Sequence, residues 1–198
     1  PLLRAQLKDA PTDVAAIRML GELATRLSRY GDAERLLGRA LELAPSFDPA
    51  RHNMAVILYR QTKSPEALAE VETLLKRDAQ NIAYRNLKAA ILVRVGDYET
   101  AIAIYRKVLA DQPKQPKVWM SLGHALKTVG DIPASVDAYR RSIDQQPGLG
   151  ESYWSLANLK TFRFEDSELA AMRALLAGDT LSPEDRFHIE FSLGKRSE

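Results

Sequence analysis

The side chains able to do chemistry in this sequence are few and scattered. Histidine occurs three times, at His52, His124 and His188. No two stand four apart, the spacing that sets a pair of zinc ligands on one helix face. Cysteine is absent, which removes disulfide scaffolds, thiolate metal sites and cysteine nucleophiles together. Ser121 and His124 share one helical turn, but a hydrolase also needs an orienting acid and oxyanion donors. The carboxylate pairs Glu165/Asp166 and Glu184/Asp185 stand where helices are expected to begin, and there they complement the positive end of the helix dipole. No G-x-x-x-x-G-K-[ST], G-x-G-x-x-G or G-x-S-x-G occurs to cradle a phosphate or raise a nucleophile. The expectation is a chain with no catalytic residues, no cofactor and no metal, and so not an enzyme in its own right.

Composition narrows the classes further. Of 198 residues 45% are hydrophobic, enough for a sizeable core. Lys plus Arg is 28 and Asp plus Glu is 26, a net charge of +2. That balance lacks the clustered basic excess of a nucleic-acid binder. No apolar run approaches the roughly 18 residues of a membrane span, and the N-terminus has no signal-peptide pattern. Neither nucleic acid nor membrane is expected as a partner, and a cytoplasmic location is expected. Pro1 stands in place of an initiator Met, which gives the expectation of an excised fragment. The charged run RKVLADQPKQPK at 106–117 reads as solvated surface.

What must position these residues is a repeat. Pro11, Pro45, Pro113 and Pro147 fall on one spacing of 34 residues, with Ala79 in the remaining slot. Gly21, Ala55, Ala89, Gly123 and Ala157 form a second ladder at that spacing, and Ala33, Ala67, Ala101 and Ser135 a third. Small residues let two helix axes approach closely. A Pro just past a helix cannot continue it and fixes the turn that follows. Apolar residues at i, i+3, i+4 and i+7 supply the packing stripe: Trp119, Leu122, Gly123 and Leu126, then Val136, Tyr139 and Ile143. One such unit cannot bury both faces alone, so neighbours must stack.

WMSLGHALKTVGD, residues 119–131, resembles the first helix and turn of the tetratricopeptide repeat (TPR), with Trp119, Leu122 and Gly123 on the family's W-x-x-L-G. Gly96, Asp97, Tyr98 and Ala101 match the turn and the start of the second helix in the preceding unit. Leu37, Tyr105 and Tyr139 take the aromatic or apolar slot of the second helix. The resemblance covers about residues 11–160. It implies an all-α fold, a tetratricopeptide-repeat superhelix or α-solenoid of antiparallel helix pairs. The expected organisation is a single array over 1–198: a remnant helix in 1–13, repeats at 14–47, 48–81, 82–115 and 116–149, a divergent repeat at 150–180 and a terminal helix in 181–198. Ser182 is the expected N-cap of that last helix, with Pro183 in its first turn. The helix reads as the first helix of a further repeat, leaving an open apolar edge able to self-associate. In the third unit Arg85 and Lys88 occupy the anchor slots. Tyr84 and Leu87 serve instead if the helix at 82–95 is rotated by one residue.

A narrower resemblance joins YWSLANLKTFRF (153–164) and LSPEDRFHIEFSLGK (181–195) to the end of the repeat region in bacterial TPR proteins fused to a sulfotransferase domain. It implies, as an alternative, the N-terminal arm of an enzyme using the donor 3′-phosphoadenosine 5′-phosphosulfate, with its catalytic domain outside this chain.

The TPR resemblance also implies a concave groove that takes a protein or peptide ligand. Carried over in register, the ligand-facing positions are Arg18 and Glu22; His52, Asn53 and Tyr59; Asn86, with Arg85 as the alternative if that helix is rotated; Lys117, Met120, Ser121, His124 and Lys127; and Trp154 and Asn158. Cations there could pair carboxylates and the amides could hold a peptide backbone. Of the adjacent Tyr153 and Trp154, the first is expected in the core and the second outward. Some family members bind a chaperone's C-terminal carboxylate through a Lys/Asn/Asn/Lys/Arg clamp. Asn53 fits it and Arg18 could replace a Lys, but Glu22 stands on an Asn slot and repels a carboxylate, so chaperone-tail binding is not expected. The reading is a non-catalytic scaffold for protein or peptide binding.

Overall fold

The computed structural model describes residues 2–195; the end of the expected terminal segment, 196–198, lies outside them. The described regular structure is helical throughout, matching the all-α expectation. The chain divides into two compact units, Pro1–Asp97 and Tyr98–Glu198, and the division falls inside the expected repeat 82–115.

The first unit holds α1 (Leu2–Asp9), α2 (Val14–Arg26), α3 (Tyr30–Leu43), α4 (Asp48–Arg60), α5 (Ser64–Arg77) and α6 (Ile82–Val95). Helix α2 starts because the Asp13 carboxylate accepts the Ala16 N–H at 2.9 Å, and α6 because Asn81 accepts that of Tyr84 at 3.3 Å. Each cap satisfies a donor that a helix N-terminus otherwise leaves unpaired. The pairs α2/α3 and α4/α5 are hairpins closed by the turns 27–29 and 61–63. The small-residue ladder acts as its chemistry requires. A β-carbon on Gly21 would lie 2.8 Å from Leu37 Cγ, so only glycine admits Leu37 at full burial. Ala33, Leu37, Ala55 and Ala67 are fully buried, in a core that runs from Ile17 to Ile91. Arg51 Nη2 donates to the carbonyl of the ladder residue Pro45 at 2.8 Å, while its Nη1 pairs with Glu70. A cation therefore fills an anchor slot with its charge paired, while its Nε is buried without a partner.

The rotation considered for 82–95 does not occur. Arg85 is 7% exposed and is buried together with Ala89, Ile91 and Leu92, so α6 keeps the ladder register. Arg85 is a packing residue and not a groove residue. Lys88 turns to pair with Glu72 at 3.1 Å.

The second unit holds α7 (Tyr98–Asp111), α8 (Pro116–Thr128), α9 (Ile132–Gln145), α10 (Gly150–Ala157), α11 (Asp166–Ala177) and α12 (Pro183–Gly194). In the pair α8/α9 a β-carbon on Gly123 would lie 2.6 Å from Tyr139 Cε1. Tyr139 is fully buried, and Ser135 Oγ ties the same turn by donating to the Gly123 carbonyl at 3.0 Å. Trp119 Nε1 donates to the carbonyl of Pro113 at 2.9 Å, repeating what Arg51 does at Pro45.

A further ladder runs through the backbone of the turns. Ser28 (φ 56°), Thr62 (φ 62°), Gly96 (φ 88°) and Gly130 (φ 87°) all take the left-handed conformation just past a first helix. Two of the four are not glycine and carry its steric cost.

Beyond α9 the pairing changes. Helix α12 runs parallel to α10: Gly150 lies at Asp185, Trp154 at His188 and Asn158 at Lys195. The Gly150 N–H donates to Asp185 Oδ1 at 2.9 Å, and a β-carbon on Gly150 would stand 2.7 Å from Asp185 Cα. Tyr153, Leu169, Met172 and Ile189 form one buried cluster across the three helices. The start of α11 is anchored to α9 by Arg140, which pairs with Glu165 at 3.0 Å and Glu168 at 2.9 Å. Ser182 caps α12 by accepting the Asp185 N–H at 3.1 Å.

Candidate peptide-binding surface

In the first unit the expected positions lie on α2, α4 and α6. Arg18 pairs with Glu22 at 3.0 Å, and Glu22 also takes Arg26 at 2.8 Å. The acidic residue that spoils a carboxylate clamp thus neutralises the cation beside it. His52 packs on Tyr84 of the next first helix, ring centroids 5.4 Å apart, and burial pushes its pKa below the ordinary imidazole value, so it is neutral at pH 7. Tyr59 carries the Arg94 guanidinium 3.9 Å above its ring, and Arg94 also donates to the Tyr59 carbonyl. Asn53 and Asn86 are half-buried. Asn53 Nδ2 and Asn86 Oδ1 lie out of solvent without a hydrogen-bond partner, a donor and an acceptor unused on neighbouring helices.

In the second unit the positions lie on α8 and α10. Lys117 is exposed, and Ser121 Oγ is spent on the Lys117 carbonyl at 2.9 Å. Met120 leans on the core cluster of Tyr139, Leu156 and Leu159, so it packs more than it presents. Lys127 is half-exposed. His124 is held at both ring nitrogens: Nδ1 shares a 2.8 Å hydrogen bond with the Tyr139 hydroxyl, and Nε2 stands 3.5 Å from Glu151 Oε1. The hydrogen bond from His124 holds the Glu151 carboxyl below its ordinary range, against an opposing push from burial. Burial raises Tyr139 to about 12, so its hydroxyl keeps its proton. Tyr153 is 2% exposed and Trp154 37%, the inward and outward arrangement that their alternation predicts. The Trp154 ring lies 5.9 Å from that of His188, and Asn158 Oδ1 accepts from Lys195 Nζ at 2.6 Å.

Several residues of this surface escaped sequence reasoning although the spacing contained them. Adding 34 to Lys117 gives Glu151, and adding 34 to Trp154 gives His188. His188 Nδ1 is also a buried polar atom without a partner. Tyr84 and Arg94 carried no such signal, because each is defined by the ring it touches. Among the described residues no group of three His, Asp or Glu is placed to hold a metal. No described helix is long and apolar enough to cross a membrane.

Known proteins share this architecture. Family models described as tetratricopeptide repeat match residues 24–91 and 87–150. Protein NPGR2 of Arabidopsis thaliana is 28% identical over 124 residues, 60% of this chain. The general transcriptional corepressor ssn6 of Schizosaccharomyces pombe is 30% identical over 78 residues, 39% of this chain. The chain spans 16% and 7% of those two relatives' own lengths. Among solved structures, a thermophilic TPR protein of Thermus thermophilus superposes with a TM-score of 0.72 at 19% identity, covering 91% of this chain and 98% of its own. YrrB, described as a TPR protein with an unusual peptide-binding site, superposes with a TM-score of 0.64 at 13% identity, covering 100% and 99%. At such identities the likeness is one of fold. With its ladders matched by family models from residue 24 to residue 150 and its helices by TPR structures, this chain is a tetratricopeptide-repeat protein.

Proposed function

We propose that the chain is a binding scaffold whose inner helix positions take an extended peptide segment, with no catalytic step of its own. The observation that carries the reading is where hydrogen-bonding capacity is left unused. Asn53 Nδ2 and Asn86 Oδ1 are buried and unpartnered, and both belong to half-buried residues on neighbouring helices of the first unit, α4 and α6. Folded proteins satisfy nearly all buried polar groups, so an unused donor and an unused acceptor on neighbouring helices call for a reason. A peptide backbone offers a C=O to the Asn53 donor and an N–H to the Asn86 acceptor. Tyr59, on the same helix as Asn53, supplies apolar contact with a polar edge. YrrB, the fold neighbour described as having a peptide-binding site, agrees with this class of ligand.

The test is selection of peptides from a random displayed library on the whole chain, followed by affinity measurement on the double variant Asn53→Ala/Asn86→Ala. Each lost hydrogen bond removes about 0.5–1.5 kcal/mol, so the pair should weaken binding roughly tenfold or more. Folding stability should stay level or rise, because the groups removed are unsatisfied in the unbound protein. Peptides that bind both proteins equally would sink the reading.

A second reading, self-association, rests on Phe187 and Phe191, which are 62% and 38% exposed on α12. A monomeric mass up to high concentration would dismiss it.

A further inference from the structure

A cleft of about 380 Å³ opens in the second unit between α7, α8 and α9, away from the positions discussed above. Leu109, Leu122 and Leu126 form its floor, Trp119 one wall, and Arg106, Asp137 and Arg141 its mouth. It exists because two side chains are short. Ala138 lines it where the other repeats carry Leu36, Glu70 and Ile104 at the same slot. Ala110 lines it where they carry Glu42, Lys76 and Asp144. In the second repeat the corresponding space is taken up by Arg51 and Glu70 as an ion pair. In the fourth, Trp119 is fixed by its indole N–H on Pro113, and nothing replaces the pair.

The charge at the mouth does not cancel. Arg141 stacks 4.9 Å over Trp119 and pairs with Asp137 at 2.8 Å. Arg106 is exposed and makes no ion pair among the described residues. Two guanidiniums face one carboxylate over an apolar floor, in a space at the lower end of ligand-pocket size. Such a cleft selects an apolar side chain with a negative charge within one residue's reach. A C-terminal aliphatic residue carries both groups itself.

We propose that this cleft binds the C-terminal residue of a partner polypeptide, a Leu or similar aliphatic side chain on the floor and its α-carboxylate on Arg106 and Arg141. Guanidinium and carboxylate form paired, charge-assisted hydrogen bonds, stronger than neutral ones. The site is separate from the inner helix positions, and the proposal does not rest on the peptide-binding reading given for them.

The test follows the Trp119 indole N–H resonance of the whole chain during titration with acetyl-Ala-Ala-Ala-Leu and with the same peptide as its C-terminal amide. The free acid should shift that resonance saturably, and the amide should bind about tenfold more weakly or worse, as loss of a charge-assisted contact requires. Ala138→Leu restores the residue type of the first repeat's slot and should abolish the shift. Arg106→Glu, a surface change that leaves the core intact, should weaken the acid by at least about tenfold. The Asn53→Ala/Asn86→Ala variant should bind the acid as the parent does. Equal affinity for acid and amide, an undiminished response in Arg106→Glu, or no shift at millimolar peptide would each overturn the proposal. Should Ala138→Leu fail to fold, the amide and Arg106→Glu comparisons decide alone.

Discussion

Replacing Gly123 by Ala tests the packing logic of the repeat at its tightest point. The new β-carbon would meet Tyr139 at 2.6 Å (Cε1), 2.8 Å (Cδ1) and 3.0 Å (Cζ), well inside van der Waals contact. The ring has little room to retreat, because Tyr139 is fully buried and its hydroxyl is held by His124 at 2.8 Å. Overpacking of a core costs about 1–3 kcal/mol. Helix propensity returns about 0.5–1 kcal/mol on exchanging Gly for Ala. The net expectation is a loss of about 1–2 kcal/mol. The second repeat shows what removes the clash: there the slot holds Ala55 and its counterpart is Val71, both fully buried. In a Tyr139→Val background the same Gly123→Ala change should therefore stabilise, by up to about 1 kcal/mol. Urea unfolding followed by circular dichroism, with comparable m-values across the four proteins, reads the cycle directly. If Gly123→Ala stabilises the parent, or has one sign in both backgrounds, close helix approach is not what the ladder provides.

Other consequences concern the turns, the last helix and pH. Thr62→Gly should raise stability by up to about 1 kcal/mol, since a left-handed β-branched residue carries about 1–2 kcal/mol of strain and glycine's extra unfolded freedom returns less; the urea midpoint measures it. Gly150→Ala sets a β-carbon against the Asp185 backbone, which cannot rotate away, so it should cost about 1–3 kcal/mol and expose α12 amides to hydrogen exchange. Glu151 has a folded-state pKa below its ordinary 4.5, so its contribution is fully present above that value and is lost as pH falls through the folded value. Glu151→Gln should accordingly narrow the stability difference from the parent as pH drops below 4.5, a trend read from midpoints between neutral and acid pH.

The fold was legible where one residue type answers one steric demand. Gly21 and Gly123 announce close helix approach, and Leu37 and Tyr139 are what they admit. The turn ladder was half legible, since Gly96 and Gly130 signal a positive φ while Ser28 and Thr62 do not. Arg85 resisted reading because a cation in an anchor slot looks like a register shift, whereas the helix keeps register and buries it. On the inner positions, the family resemblance named Arg18 but could not show that it is neutralised by Glu22. Nor could it show that Trp119 and Ala138 line an open cleft. Those facts depend on rotamers and on neighbours from other helices, which a period of 34 residues does not encode.

The most direct measurement is the side-chain amide spectrum of Asn53 and Asn86 in a ¹⁵N-labelled chain, recorded with and without a library-selected peptide. Their unused atoms should acquire partners on binding, so both NH₂ pairs should shift with the same saturation curve, and the Asn53 pair, whose nitrogen is the unused donor, should gain protection from exchange. Saturable binding that leaves both pairs unmoved would contradict peptide capture by the inner helix positions.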